Sequence, residues 1–560
     1  MGRYIMGVHT GHDRGAALLC DGVLVGAISQ ERLDRHKYSR SYMLPYEAMN
    51  ALIEYFHVSW QDISCIAISG DAVEIEHLMK VYKTDFVEKY HIPNMPFFPV
   101  SHHLAHAYSA YFLGGEGTCL VLVADGGGDF VGDRTEAESL YLGHNGEITL
   151  LEQRLQNPPN RKLLDMGNHF YPFMPVSLRG KQISIGRKYE QVTYLLKFQF
   201  GQAGKTMGLA SYGHSFIDYS SLNWNDLNFS LSFEDVLKEI YFKEQLSGLS
   251  HAQFMSEYNA DIAATIQNFT EYAVTSLVKN LCDKYQIYDI CLAGGLFLNC
   301  LMNHKILENS GINNIFIVPP AGDDGQAIGA AMAAHKMYFN SAYKINAHMP
   351  YLGLDYTNEE IEMAIKCKNL SYSYMKDHEL AVKIANFIAE GKIIGIHRGR
   401  TEIGPRALCH RSIFADATNP KMKDILNRRV KHREFFRPFA PIVTYEDQFD
   451  IFDLKIDSPY MLFATTVKEQ YRSFIPAVTH EDGTARVQSV RQTEEPFIYD
   501  LLQEFRKIKG IPVILNTSFN VNGEPIVETP QDAIQTFLKT NIDVVVIGNY
   551  LVCKDYDTGN

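Results

Sequence analysis

The sequence predicts an α/β protein with more than one domain. The chain has 560 residues, whereas a single hydrophobic core stops growing at about 250–300 residues, so two or more domains are expected. Short apolar runs typical of strands alternate with longer segments whose apolar residues recur at helical spacing. Strands that alternate with helices predict a largely central sheet covered by helices.

The first half opens with a strand and a hairpin. Residues 4–9 form the strand, and the turn Asp21-Gly22 joins two further strands at 16–20 and 23–28. The other elements predicted for this half are strands at 119–123, 290–293 and 315–318 and helices at 263–285 and 325–335.

The pattern is interrupted near residues 347–356, where a Pro- and Gly-containing segment predicts a domain boundary. We therefore assign residues 1–347 to the first domain and residues 348–560 to the second. The elements predicted for the second domain are helices at 379–390 and 530–540, the latter capped by Thr529, and strands at 392–397, 543–547 and 550–554.

Composition limits the function classes. With 46% apolar and 21% charged residues, the chain has an ordinary globular composition. No apolar run approaches the ~20 residues of a membrane helix, and no secretory signal precedes the first strand, so we expect a cytoplasmic protein with no membrane partner. The net charge of −13 disfavours a nucleic-acid partner. The nine cysteines include no Cys-x-x-Cys pair, so reduced thiols are expected.

A metal site is indicated by two histidines and two carboxylates. His102 and His106 are four residues apart, and on a helix such positions lie on one face. Asp125 follows one predicted strand, and Asp323 follows another with its own turn and helix. Together they form a mixed nitrogen and oxygen ligand set that suits iron, zinc or manganese.

Glycine-rich loops near these residues predict an anion or nucleotide site. Loops of this kind let backbone N–H groups approach phosphates closely, and converging acidic and glycine loops hold a metal-bound phosphate in actin-like ATPases. The residues nominated for nucleotide binding are Gly126, Gly127, Gly294, Gly295, Asn299 and Lys205, the last in a glycine-spaced loop at 204–213. His12 and Asp13 lie at the end of the first strand, where sheet proteins place ligand contacts.

Arginines are dense in the second half, although the chain as a whole is acidic. They cluster at 398–411 and 428–437 among prolines, glycines and phenylalanines, and do not follow a helical stripe. Guanidinium groups bind phosphate oxygens in pairs, so a polyphosphate pocket is predicted. A solvated charged face and an RNA-binding surface are the alternatives.

These motifs, in this order, resemble the NodU/CmcH family of O-carbamoyltransferases over nearly the whole chain. Besides His12-Asp13 and the His-x-x-x-His pair, the motifs are Ala-Asp-Gly-Gly-Gly, Met-Gly-Leu-Ala-x-Tyr-Gly, Leu-Ala-Gly-Gly, Gly-Asp-Asp-Gly, Gly-Arg-x-Glu-x-Gly-Pro-Arg-Ala-Leu, Lys-x-Arg-Glu-x-x-Arg-Pro-Phe-Ala-Pro and Leu-Asn-Thr-Ser-Phe-Asn. The resemblance implies an N-terminal TsaD-like domain of the actin-like ATPase (ASKHA) fold and a C-terminal YrdC-like α/β domain.

The resemblance also implies a reaction. The YrdC-like domain would form carbamoyl adenylate from carbamoyl phosphate and ATP, with Mg²⁺ bound to the ATP. The TsaD-like domain would then transfer the carbamoyl group to a hydroxyl. His102, His106, Asp125 and Asp323 would bind the metal, with Fe²⁺ expected. The implied carbamoyl phosphate and adenylate pocket comprises Arg406, Lys431, Arg437, Arg486, Asn516 and Ser518. His12 or Asp13 is the candidate base for the acceptor hydroxyl.

Two departures from the family pattern occur: Cys409 where the family usually has Gly, and Ser211 where Pro or Ala is common.

The acceptor is expected to be a hydroxylated small molecule, a natural product or sugar-like compound, contacted by loops at 156–175 and 216–250. A threonylcarbamoyl-tRNA enzyme and a non-enzymatic nucleotide-sensing protein are the alternatives. The net charge counts against the first, and the combined metal and arginine sites count against the second.

Overall fold

A computed structural model of the chain describes residues 3–70, 75–115, 117–157, 183–219, 233–339 and 349–554. The chain divides into two compact units: Met1–Val25, Arg40–Pro45 and Ser59–Asn346 form the first, and Gly26–Ser39, Tyr46–Val58 and Ala347–Asn560 form the second. Within the described ranges, no helix has both the length and the apolar character needed to cross a membrane. The predicted boundary at 347/348 lies outside the described residues.

The first unit contains two mixed sheets. Its strands are β1 (Tyr4–Thr10), β2 (Gly15–Cys20), β3 (Val23–Ser29, which leaves the unit after Val25), β4 (Ile63–Gly70), β5 (Phe97–Pro99), β6 (Thr118–Ala124), β7 (Phe130–Val131), β8 (Arg134–His144), β9 (Glu147–Gln156), β10 (Asp289–Ala293) and β11 (Asn314–Ile317). One sheet has the order β3-β2-β1-β4-β5, and the other has the order β11-β10-β6-β8-β7, with β9 on β8. In the second sheet β10 runs parallel to both β6 and β11.

Two helices of the first unit bring parts of both sheets together. The helix Gln326–Phe339 packs on β1, β2 and β4, and the helix His102–Gly114 packs on β6 and β10 as well as on the first helix. At their crossing, a Cβ on Gly329 would lie 1.7 Å from the carbonyl oxygen of Ala105, so only glycine permits this approach. The remaining helices are Ile75–Tyr90, Ile185–Leu195, Ala203–Ala210, Phe233–Ser247, His251–Glu257, Asn259–Tyr285 and Cys300–Asn309, with short 3₁₀ turns at Trp60–Asp62, Gly295–Leu298 and Asp323–Gly325.

The second unit is built on an eight-stranded sheet of order β12-β21-β20-β13-β14-β19-β15-β18 and a two-stranded ribbon, β16-β17. The strands are β12 (Ser371–Tyr374), β13 (Ile394–His397), β14 (Arg411–Asp416), β15 (Ala440–Thr444), β16 (Ala464–Thr466), β17 (Thr484–Arg486), β18 (Gln488–Val490), β19 (Val513–Ser518), β20 (Val544–Ile547) and β21 (Tyr550–Cys553). The helices are Gln30–Asp34, Tyr46–Tyr55, Asn358–Lys366, Asp377–Ala389, Met422–Leu426, Tyr445–Ile451, Glu469–Arg472, Pro496–Lys509 and Pro530–Lys539, with a π turn at Asn427–Lys431.

An early segment of the chain belongs to the second unit, which the contiguous division into 1–347 and 348–560 did not anticipate. Arg35 donates hydrogen bonds to the carbonyl oxygens of Ile526 at 2.6 Å and Pro525 at 3.0 Å. The buried Arg32 donates to the carbonyl oxygen of Gly404 at 3.1 Å. These contacts join residues that are hundreds of positions apart in the sequence, so no local sequence pattern predicts them.

The predicted α/β class is confirmed, and the predicted strands of the first half correspond to β1, β2, β3, β6, β10 and β11. One local prediction was wrong: the glycine-spaced segment 204–213 is not a loop, since Ala203–Ala210 is helical. This helix is stabilised by packing against the long helix Asn259–Tyr285, with Thr206 and Leu209 buried. Tertiary packing therefore outweighs the low helix propensity of its two glycines.

Candidate functional site

The histidine pair of the first unit lies on the helix His102–Gly114, as its spacing predicts. The side chain of Ser101, the residue before the helix, makes no capping hydrogen bond. A carboxylate oxygen of Asp129 instead accepts the N–H of His102 at 2.8 Å, which satisfies one donor at the helix start. His102 is 2% exposed and His106 is fully buried, so the pair faces the interior.

Asp125 and Asp323 meet the histidines from two different loops. Asp125 directly follows β6, and Asp323 begins the 3₁₀ turn that leads into the helix Gln326–Phe339. His106 Nε2 lies 3.1 Å from Asp125 Oδ2 and 3.2 Å from Asp323 Oδ1. His102 Nε2 lies 3.5 Å and 3.3 Å from the same two oxygens. One ligand atom from each of the four residues therefore converges on one point.

A hydrogen bond orients the His102 ring for metal binding. Its Nδ1 lies 3.0 Å from the carbonyl oxygen of Gly70, a group that only accepts. Nδ1 therefore carries the proton in the neutral ring, which leaves the lone pair of Nε2 facing the two carboxylates. Metal-bound histidines commonly use such a partner to fix their tautomer.

The electrostatics of the cluster couple the four side chains. Burial lowers the pKa of His102 and His106, but the carboxylates of Asp323 and Asp125 outweigh it and raise both. Burial raises the pKa of the two carboxyls, but the histidines outweigh it and hold both below their usual range. The carboxylates are therefore ionised, which is the form that binds a cation.

The four residues fit a divalent metal ion. Two atoms bonded at about 2.1 Å to one ion lie about 3–3.5 Å apart, and the four nitrogen–oxygen distances in the cluster span 3.1 to 3.5 Å. Two imidazole nitrogens and two carboxylate oxygens suit iron, manganese or zinc. The donor set alone does not select among these metals.

His12 extends this cluster towards solvent. Its Nε2 lies 3.0 Å from Asp323 Oδ2, and its Nδ1 lies 2.9 Å from Asp13 Oδ2. The His12 side chain is 27% exposed, in contrast to the buried His102 and His106. The structure thus places both candidate catalytic residues beside the metal cluster, on its accessible side.

The nominated nucleotide residues have unequal surroundings. Gly126 has open space where a Cβ would project, and a Cβ on Gly295 would lie 3.2 Å from Asp125 Oδ1. Gly294 has a φ of 104°, which favours glycine, and Gly127 lies against Gln156 and Arg187. Gly126 and Gly127 follow Asp125 in the chain and Gly295 faces its side chain, whereas Gly294 lies against Ala124.

Asn299 and Lys205 have contacts of another kind. The side chain of Asn299 caps the helix Cys300–Asn309 and exchanges hydrogen bonds with Gln267 at 2.9 and 3.0 Å. The Lys205 ammonium group lies 5.6 Å from the centre of the Phe198 ring. The nucleotide-binding role of all six residues stays a prediction.

The second unit contains a cluster of four cations, Lys431, Arg433, Arg437 and Arg486. Burial, together with the charges of Arg433 and Arg437, lowers the pKa of Lys431 well below its usual range. Burial and the charges of Arg437 and Arg486 likewise lower the pKa of Arg433 well below its usual range. The acidic Glu434 lies 3.9 Å from Arg437. A group of cationic side chains in a partly buried place favours the binding of an anion.

Two other predicted pocket residues, Ser518 and Asn516, make hydrogen bonds within the chain. Lys431 Nζ donates to the Ser518 carbonyl oxygen at 2.5 Å and approaches Ser518 Oγ at 3.2 Å. Its contacts with Asn520 are 2.9 Å to both the carbonyl and the side-chain oxygen. Asn516 donates to the carbonyl oxygen of Ala407, the neighbour of Arg406, at 3.1 Å. The structure thus joins Lys431 to Ser518 and places Asn516 beside the loop of Arg406.

Sequence reasoning missed three residues of these sites. Asp129 caps the metal-binding helix, and Gln326 directs its amide at the metal cluster. Arg433 joins the cation cluster and stacks 4.2 Å over the ring of Phe439. Asp129 and Gln326 each follow a nominated aspartate by three or four residues, so the local motifs contained a signal for both.

Two family models match this chain. The model described as Carbamoyltransferase N-terminus matches residues 75–332, and the model described as Carbamoyltransferase C-terminus matches residues 385–554. The two matches cover, respectively, the metal cluster and the cation cluster.

Nodulation proteins are among the similar sequences. Nodulation protein NolNO of Sinorhizobium fredii is 30% identical over 97% of this chain and 79% of its own length. Nodulation protein NolO of Bradyrhizobium diazoefficiens is 32% identical over 81% of this chain and 79% of its own length. Uncharacterized protein sll1178 of Synechocystis is 32% identical, with 97% of this chain and 95% of that protein covered.

Solved structures show weaker likenesses. Full-length HypF in its phosphate- and nucleotide-bound form is 16% identical, with a TM-score of 0.42 over 61% of this chain and 56% of that one. Component A of (R)-2-hydroxyglutaryl-CoA dehydratase from Acidaminococcus fermentans is 16% identical, with a TM-score of 0.36 over 60% of this chain and 98% of that one. TM-scores below 0.5 do not establish a shared fold.

Proposed function

Because this chain belongs to the carbamoyltransferase family of the NodU/CmcH type, we propose that it is an ATP-dependent O-carbamoyltransferase with two separate sites. The second unit forms carbamoyl adenylate from carbamoyl phosphate and ATP. The first unit transfers the carbamoyl group to a hydroxyl of a small molecule. This assignment of the two steps is supported by one observation: one unit contains a histidine–aspartate cluster, and the other contains a cluster of cationic side chains.

Adenylate formation is assigned to the second unit because each of its substrates carries phosphate. Water releases inorganic phosphate from carbamoyl phosphate, and an oxygen of the resulting carbamate attacks the α-phosphorus of ATP while pyrophosphate leaves. Arg437 and Arg486, with Arg406, would neutralise the phosphates. Lys431 supports the pocket by holding the turn at Ser518 and Asn520.

Carbamoyl transfer is assigned to the first unit. The acceptor oxygen attacks the carbonyl carbon of the adenylate, the bond from that carbon to the phosphate oxygen breaks, and AMP leaves. His102, His106, Asp125 and Asp323 would hold the metal, expected to be Fe²⁺, which acts as a Lewis acid when bound.

The acceptor proton is assigned to His12 and Asp13. His12 is the more exposed group at the cluster, and its ring is held between Asp13 and Asp323. A base at the accessible side is within reach of an incoming hydroxyl. Either residue of this pair can take the proton from the acceptor. In the acceptor-contacting loops predicted at 156–175 and 216–250, residues 158–175 and 220–232 lie outside the described residues.

Two properties oppose a tRNA substrate. The net charge is −13, whereas tRNA binding requires an extended basic face. In the second unit, Lys431, Arg433, Arg437 and Arg486 form a partly buried cluster rather than an extended face. A small-molecule acceptor is therefore the better supported class.

The nucleotide product tests the proposal. Purified protein with bound metal is incubated with ATP, with or without carbamoyl phosphate, and the nucleotides are separated by chromatography. We expect AMP and pyrophosphate only when carbamoyl phosphate is present. Cleavage of ATP to ADP, or AMP formation independent of carbamoyl phosphate, would contradict it. A screen of hydroxylated metabolites for products about 43 Da heavier would then identify the acceptor.

A further inference from the structure

Gln326 directs its side-chain amide at the metal cluster of the first unit. It is fully buried and begins the helix Gln326–Phe339, directly after the turn that contains Asp323. Its Nε2 lies 2.8 Å from His102 Nε2, 3.1 Å from His106 Nε2 and 2.9 Å from Asp323 Oδ1. It also lies 3.0 Å from His102 Nδ1. The amide thus contacts ligand atoms from three of the four cluster residues.

The other end of the amide is unsatisfied. Gln326 Oε1 is buried and has no hydrogen-bond partner among the described residues. An unpaired buried carbonyl oxygen destabilises the folded state. Rotation of the amide by 180° exchanges Oε1 and Nε2 with almost no change in shape, so the same side chain can present an acceptor to the cluster.

A bound cation reverses the preferred orientation of this amide. In the orientation described, Nε2 donates to Asp323 Oδ1 and contacts the Nε2 atoms of both imidazoles. With metal, the imidazole lone pairs are used by the ion, and the positive end of the amide dipole would face a double positive charge. The rotated amide instead directs its partly negative oxygen at the ion, because carbonyl oxygens are ligands for hard divalent cations.

We propose that Gln326 is a further metal ligand, which binds the ion through Oε1 after its amide rotates. This inference rests on the metal centre of the proposed function. Two imidazoles, two carboxylates and one amide oxygen would then give the ion five protein ligands. Five ligands favour Fe²⁺ or Mn²⁺ over the four-coordinate geometry typical of Zn²⁺.

A purely positioning role predicts a different result. If Gln326 only holds Asp323 through its N–H donor, then Gln326→Glu removes that donor and places a like charge beside the carboxylate, so metal affinity falls. If Gln326 is a ligand, the same change supplies an anionic oxygen in the same place, and metal affinity is retained or rises. The direction in which Gln326→Glu changes the metal affinity therefore distinguishes the two roles.

The experiment uses full-length protein freed of metal and titrated with Mn²⁺ by calorimetry. Wild type is compared with Gln326→Leu, Gln326→Glu and the control Gln448→Leu, which changes another fully buried glutamine, in the second unit. We expect Gln326→Leu to weaken Mn²⁺ binding about 10-fold or more, Gln326→Glu to bind at least as tightly as wild type, and the control to bind like wild type. Thermal melting identifies any variant that does not fold.

Co²⁺ absorption gives a second readout, since visible bands strengthen as the coordination number falls. Gln326→Leu should show stronger bands per Co²⁺ than wild type. Wild-type affinity and an unchanged spectrum in Gln326→Leu, or equal weakening in Gln326→Glu, would overturn the ligand role while leaving the metal centre intact. A wild-type protein that binds neither Mn²⁺ nor Fe²⁺ would overturn the metal centre of the proposed function, and the ligand role with it.

Discussion

Arg437 is the cation of the second unit whose replacement should affect function without affecting folding. Its side chain is 31% exposed, and its nearest acidic partner, Glu434, is 3.9 Å away. In the described part of the chain its guanidinium group makes no hydrogen bond, whereas Lys431 is saturated with oxygen partners. We therefore expect Arg437→Met to remove an anion-binding group that the fold does not need.

The magnitude follows from phosphate binding by this guanidinium group. A hydrogen bond to a charged group contributes about 1.5–3 kcal/mol, and a paired guanidinium–phosphate contact can contribute about 3 kcal/mol. At 1.36 kcal/mol per tenfold change, Arg437→Met should lower kcat/KM for carbamoyl phosphate about 100-fold. Stability should change by less than about 1 kcal/mol, since the side chain is partly exposed and its loss relieves repulsion with Arg433.

The assay measures pyrophosphate release against carbamoyl phosphate concentration, alongside urea unfolding of each variant. Arg506→Met is the matched control, because Arg506 is half-exposed and pairs with Asp447 at 3.1 Å on the helix Pro496–Lys509. The control should keep wild-type kinetics. Wild-type kcat/KM in Arg437→Met would refute the assignment of the cation cluster to phosphate binding.

Three further outcomes follow from the contacts described. Lys431→Met should lower the free energy of unfolding by about 2–4 kcal/mol, since the buried ammonium group holds Ser518 and Asn520; an unchanged urea midpoint would contradict this. His12→Ala should slow carbamoyl transfer about 100-fold or more while pyrophosphate exchange with ATP continues, and an unchanged transfer rate would exclude a role for this residue as the base. Although burial lowers the pKa of His102, the carboxylates of Asp323 and Asp125 raise it well above its usual value of 6.5, so Mn²⁺ must displace a proton and its affinity should rise as the pH increases beyond that value; an affinity independent of pH would contradict this.

The metal cluster could be predicted from the sequence because its ligands lie in local motifs with fixed structural meaning. The spacing of His102 and His106 places them on one helical face, and Asp125 directly follows a strongly apolar strand. Asp323 follows another strand and precedes a helix. The sheet joins β6, β10 and β11 in parallel, so such loops meet at one edge.

Other features depended on tertiary structure. The contacts of Arg32 and Arg35 with residues near 404 and 526 are distant in sequence and have no local pattern. The helix Ala203–Ala210 forms because its buried face packs on another helix, although its glycines resemble a loop. Cys409 has a φ of 90°, a conformation that favours glycine, and the sequence alone does not show this backbone requirement.

The assignment of adenylate formation and carbamoyl transfer to different units is tested most directly by Asp323→Asn, which removes a proposed metal ligand of the first unit. Two activities are measured in this variant and in Arg437→Met: carbamoyl phosphate-dependent exchange of labelled pyrophosphate into ATP, and transfer of the ¹³C-labelled carbamoyl group to an acceptor. We predict that Asp323→Asn keeps exchange and loses transfer, and that Arg437→Met is impaired in both. Loss of exchange in a folded Asp323→Asn protein, or transfer at the wild-type rate, would contradict the two-site account.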